Sequence, residues 1–193
     1  MTTTRLETFS DGVIAIIITI MVLELPVPHG THWKDMEPLW PVLGSYAISF
    51  INLGIYWGAH HHLLHTIKGV NGRIMWANLH LLFWLSLLPF ATAWMGENHF
   101  EKTTVAIYAL LANLCGIAYY ILLTTIKRSN PGNDALHEVL RKQSKKGMQS
   151  NVLNILAIPA AFLHTAISVA LIIAVAIMWL IPDKNIEKAV REN

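Results

Sequence analysis

Charged residues divide the chain into long uncharged stretches. No Asp, Glu, Lys or Arg falls between Pro38 and Ile67, Ile74 and Gly96, Thr103 and Ile126, or Gly147 and Pro182. A fifth apolar stretch, Phe9 to Leu25, carries Asp11 near its start and Glu24 near its end. Each charge held at mid-bilayer costs about 2.5 to 3.5 kcal/mol on insertion scales, so uncharged runs of this length predict transmembrane helices. The last run, residues 147–182, would measure about 54 Å as a single helix, against a hydrocarbon core of about 30 Å. It must therefore fold back, and Pro159 with the polar cluster His164, Thr165 and Ser168 is its only interruption. The pattern predicts an all-α integral membrane protein of one domain with six spans, at about 9–25, 39–64, 75–95, 104–126, 149–163 and 166–181. After a turn at 130–133, the basic residues of 134–148 predict a helix near the cytoplasmic surface.

Charge placement tests the span count independently, because cytoplasmic flanks hold the excess of Lys and Arg. Six spans put twelve Lys and Arg, from Arg5 to Arg191, on one side and only Lys34 and Lys102 on the other. Five spans move the tail across and leave nine against five. The expected topology is thus multi-pass in the cell membrane with both termini cytoplasmic. Arg5 ahead of an apolar run suggests a signal peptide, but Glu7 and Asp11 lie in its n-region and Pro26 follows Leu25 where a small-residue cleavage site belongs, so this segment is read as a retained span.

Composition agrees with lipid as the solvent: 54% of residues are hydrophobic, 13% are charged and mean hydropathy is +0.46. A net charge of +2 with 14 Lys and Arg excludes nucleic acid as the main partner. The single cysteine, Cys115, can form neither an intrachain disulfide nor a thiolate zinc site, and packing is its expected role. No Gly-rich phosphate loop, H-E-x-x-H or G-x-S-x-G motif is present, so no enzyme activity is expected.

The first span opens with Arg5, then Phe9, Ser10 and Asp11: R-x-x-x-F-S-D. An ionisable residue at the mouth of an apolar helix is either paired with another group or serves as a helix cap, and the pattern alone leaves both open. At about 100° per residue, Ile16, Thr19, Ile20 and Leu23 form one stripe down the span, with Asp11 about 140° from Ile16. The stripe suits lipid, a helix contact or a pore. A second constellation is the string His60, His61, His62 and His65, one turn after Trp57, with His80 later between Trp76 and Trp84. Imidazoles ligate metals, but no carboxylate or Cys accompanies the string, and helical spacing groups only His61 with His65. No metal site is expected.

R-x-x-x-F-S-D opening the first span, the chain length, six spans and I-P-D-K from Ile181 after the last span together resemble the bacterial members of the transmembrane protein 175 family, the endolysosomal potassium channels. The resemblance covers essentially the whole chain. It implies a homotetramer in the lipid bilayer that conducts potassium, with four copies of the first helix lining the pore and no re-entrant selectivity loop. No cofactor is implied beyond the permeant ions. Its constriction falls on Ile16 and Leu23, with Thr19 or Ile20 between them. It also implies that Ser10 and Asp11 are held by His and Trp from the second and third spans, for which His61 or His62, Trp57 and His80 are the equivalents in this chain. The expected function is a potassium-selective, leak-like channel closed by a hydrophobic constriction. An intramembrane oxidoreductase with a His-ligated metal or haem is the alternative, and a membrane assembly protein without transport a third. The sequence holds no TVGYG-like segment from which to read the order among potassium, sodium, caesium and protons.

Overall fold

The computed structural model describes residues 2–67, 69–131 and 134–180, and for 134–136, 138 and 139 the backbone alone. Lys68, part of the turn at 130–133, the end of the sixth span, the I-P-D-K motif and the basic tail lie outside the described residues. Among the described residues seven α-helices follow in order: α1 Thr3–Leu23, α2 Trp40–His65, α3 Gly72–Leu85, α4 Leu88–Glu97, α5 Lys102–Ser129, α6 Asp134–Leu163 and α7 Thr165–Leu180, with a 3-10 helix, Trp33–Leu39, ahead of α2. Four stretches among the described residues are long and apolar enough to cross a membrane: α1, the 3-10 helix with α2, α3 with α4, and α5. α7 is apolar but shorter, at 16 residues.

Local chemistry sets the boundaries. Asn71 caps α3 by accepting a hydrogen bond from the Ile74 amide at 2.9 Å, and Pro41 opens the first turn of α2. The uncharged run from Ile74 to Gly96, predicted as the third span, consists of two helices, α3 and α4. Pro89 has no N–H to give the carbonyl four residues back, which is that of Leu85, and its ring crowds that carbonyl. α3 therefore ends at Leu85, and α4 starts afresh with Pro89 in its first turn. Beyond α4 the chain turns through His99 and Phe100, both left-handed at φ 53° and 60°.

The C-terminal third differs from its prediction in one respect. The basic stretch 134–148 and the span 149–163 form one uninterrupted 30-residue helix, α6. Gly147 is the weakest helix former between them, and nothing lies within 4 Å of where its Cβ would be, so no neighbour forces a break there. The reversal itself falls at His164, between α6 and α7, where the sequence places it. Ser168 then ties the hairpin by donating to the Ala157 carbonyl at 2.7 Å.

α5 is the central post, packed against α3, α4, α6 and α7. Its Tyr108 is fully buried and accepts hydrogen bonds from Ser49 at 2.9 Å and Asn52 at 3.2 Å, both on α2. Thr92 of α4 closes the cluster by donating to Ser49 at 2.7 Å. Cys115 is buried in the same helix. α1 packs against α2, α3 and α4 and adds Leu6, Ile14, Ile17 and Met21 to the core.

Candidate functional site

The two faces of α1 have separate jobs. Leu6, Ser10, Ile14, Ile17 and Met21 recur at three- and four-residue intervals and are buried against the rest of the chain. Ser10 is the polar member of that stripe, and burying its hydroxyl requires partners. Its Oγ donates to the Leu6 carbonyl at 2.8 Å and accepts from Asn78 Nδ2 of α3 at 2.9 Å. The Asn78 Oδ1 then faces His60 Nε2 of α2 at 2.6 Å. Since the Asn78 amide is donating to Ser10, its oxygen must accept, which puts the proton on His60 Nε2 and leaves buried Nδ1 without a hydrogen-bond partner. This chain of three side chains fastens α1, α3 and α2 at one level.

A second fastening lies toward the surface. Trp57 Nε1 donates to Asp11 Oδ1 at 3.0 Å. The Trp57 ring stacks on His61, with centroids 6.0 Å apart and planes 25° from parallel. One turn before Asp11, Glu7 Oε1 lies 2.8 Å from His61 Nδ1 and 3.3 Å from His65 Nε2. Glu7 thus supplies the carboxylate that the histidine string lacks in sequence.

The structure separates residues that the sequence groups together. It brings Trp57 to Asp11, whereas the histidine that reaches Ser10 is His60, through Asn78, rather than His61 or His62. His61 meets Glu7. His62 is exposed, its ring edge-on to His61. His80 accepts from Trp84 of its own helix at 2.9 Å and does not join Ser10 or Asp11. Phe9 is 53% exposed and Arg5 is exposed, and among the described residues neither joins the network by a hydrogen bond or an ion pair. By helical rotation both lie within about 20° of Ile16. One signal in the sequence identifies Asn78 and His60: each is a polar residue inside its helix's buried apolar stripe, Asn78 among Ile74, Leu81 and Leu85, and His60 between Leu53 and Leu64.

The other face of α1 is largely exposed on the subunit. Ile16 is 59% exposed, Ile20 41% and Leu23 81%, and Thr19 is exposed beside them. The Thr19 hydroxyl donates to the Ile16 carbonyl at 2.8 Å. With its proton turned to the backbone, its oxygen lone pairs remain available to a cation. The arrangement is a row of bulky aliphatic side chains with one oxygen ligand, on a helix anchored from behind.

Comparison with known proteins gives a consistent set of likenesses. The family model described as the endosomal/lysosomal potassium channel TMEM175 matches residues 5–89, which include α1, the anchoring network and α3. A potassium channel of Chryseobacterium sp. (strain P1-3) is 50% identical over 193 residues, all of both chains. A potassium channel of Streptomyces collinus (strain DSM 40733 / Tue 365) is 31% identical over 133 residues, 65% of each chain. The crystal structure of a lysosomal potassium-selective channel TMEM175 homolog from Chamaesiphon minutus superposes with a TM-score of 0.79 at 25% identity, covering 92% of this chain and 96% of that one.

Proposed function

From its membership of the TMEM175 family, shown by a full-length relative at 50% identity, we propose that this membrane protein is a potassium channel: a homotetramer whose pore is lined by the exposed face of α1. The carrying observation is the division of that helix. Ser10 and Asp11 tie one face to α2 and α3, while Ile16, Thr19, Ile20 and Leu23 face away from the subunit. A helix apolar on both sides but packed on one needs lipid or other copies of itself, and cyclic symmetry brings four such faces around one axis. A relative identical at half its positions is named a potassium channel, which supports potassium as the permeant ion. The relatives are channels rather than enzymes, so the His-ligated oxidoreductase is set aside.

Rings of Ile16 and Leu23 close the path by excluding water, as hydrophobic constrictions gate by dewetting. Opening widens or rotates α1, and the ring of Thr19 hydroxyls then offers oxygen to a partly dehydrated ion where the sequence provides no carbonyl-lined filter. Six crossings follow if α3 and α4 count as one and the second half of α6 and α7 each cross. The Lys and Arg excess puts both termini on the cytoplasmic side of the cell membrane. Flux through protein reconstituted in liposomes, compared under potassium and sodium gradients, tests this reading. Potassium efflux exceeding sodium efflux supports it; no flux through well-assembled tetramers overturns it and leaves a membrane assembly protein.

A further inference from the structure

We propose that Glu7, His61 and His65 form a site for a divalent transition-metal ion of the zinc class, joining α1 to α2. The three ligand atoms lie within 4.8 Å of one another. In a tetrahedral zinc site, with bonds of about 2.0 to 2.2 Å, neighbouring ligand atoms sit about 3.3 Å apart. The Glu7 Oε1 to His65 Nε2 distance is 3.3 Å and that to His61 Nδ1 is 2.8 Å, so two of the three edges need little or no adjustment. His61 and His65 are four residues apart on α2, the spacing that sets two imidazoles on one helix face. Their rings are 4.4 Å apart, centroid to centroid, and edge to face.

The surroundings suit such a site. Trp57 stacks on His61 while bonding Asp11, which fixes the orientation of one ligand ring through a side chain that makes no bond to the ion. The Glu7 side chain is 16% exposed and that of His65 61%, so an ion reaches the cluster from water and keeps a water molecule as fourth ligand. Two imidazoles and one carboxylate favour zinc, cobalt, nickel or copper, whereas calcium and magnesium take oxygen ligands.

The consequence rests on the reading of α1 as the pore helix. Glu7 lies nine residues before Ile16 on that helix. An ion held jointly by Glu7 and the α2 histidines resists the rotation or widening that opening requires, so the bound metal lowers potassium flux.

Zinc chloride titrated calorimetrically into the detergent-purified protein reads binding without any ion flow. Saturable binding of one zinc per chain is expected, weakened at least tenfold in His65→Ala and in Glu7→Gln, and unchanged in His62→Ala. No saturable binding, or equal binding by all three variants, overturns the site. In liposomes zinc is expected to lower potassium efflux through the parent and His62→Ala proteins but not through His65→Ala; equal loss in His65→Ala overturns the clamp. A protein that binds zinc through these residues yet passes no potassium upholds the metal site and overturns the channel reading.

Discussion

In the most apolar stretch of α5, 61% of the residues are buried within the chain; in that of α1 the share is 28%. Both helices are long, apolar and nearly free of charge, yet the subunit encloses one and leaves most of the other outside. The difference lies in what polar residues do on each. Tyr108 of α5 sits at the centre of a cluster shared with α2 and α4, and the helix is surrounded. On α1 the comparable anchor, Ser10, occupies one face only, and the opposite face carries Thr19 among aliphatic side chains that the subunit leaves exposed. Hydropathy marks both helices as shielded from water. It does not say whether the shield is the same subunit, another copy or lipid.

Three substitutions break or sharpen that contrast. The largest effect is expected from Asn78→Leu, which strands the His60 N–H and removes a donor from Ser10. At about 1 to 3 kcal/mol for each of these two buried groups, the loss is about 2 to 6 kcal/mol and loosens α1 from α2 and α3. A thermal-unfolding assay on detergent-solubilised protein should show a lowered Tm and a diminished tetramer peak, and an unchanged Tm would show that the network does not hold α1.

Tyr108→Phe comes next. It removes the oxygen that accepts from Ser49 and Asn52 while keeping the ring; the Ser49 hydroxyl can turn to a carbonyl of its preceding helical turn, so one stranded donor remains and the cost is about 1 to 3 kcal/mol, read as a lower Tm. Its ion discrimination should match the parent's if α5 is scaffold alone. Thr19→Val is the counterpart on α1 and the smallest in stability. The hydroxyl bonds only within its own helix, so Tm should stay within about 0.5 kcal/mol equivalent while discrimination between potassium and sodium falls. Discrimination equal to the parent's would remove Thr19 from the ion pathway.

Much of this arrangement is legible in the sequence because charge is so costly in lipid. The uncharged runs mark the apolar stretches, and the reversal at His164 follows from a run too long for one crossing. The break at Leu85 escapes the same reasoning, because the run from Ile74 to Gly96 stays apolar across it and only Pro89 disturbs its backbone. α6 escapes for the opposite reason: the switch from basic to apolar at Met148 suggests a boundary, while helical hydrogen bonding continues through it.

The site is legible in part. R-x-x-x-F-S-D singles out Ser10 and Asp11, and periodicity groups Ile16, Thr19, Ile20 and Leu23 in one stripe. Which of three successive histidines reaches Ser10 through Asn78 depends on steps of about 100° around α2, and the register between helices, set by packing, decides it. Asn78 and Glu7 are invisible to local spacing because their partners come from other helices, 68 residues away for Ser10 and 54 for His61.

The central claim is that the exposed face of α1 lines the pore, and potassium flux through reconstituted Ile16→Asn protein compared with Ile18→Asn tests it most directly. Ile16 lies on the exposed stripe, while Ile18, about 160° away by helical rotation, packs against the core. A polar side chain at Ile16 lets water persist in the constriction, so basal flux should rise about tenfold, equivalent to about 1.4 kcal/mol, and discrimination against sodium should fall. Ile18→Asn should lower tetramer yield without raising flux per channel. Unchanged flux through well-assembled Ile16→Asn tetramers, or a larger rise for Ile18→Asn, would contradict the account and place another face of α1 at the pore.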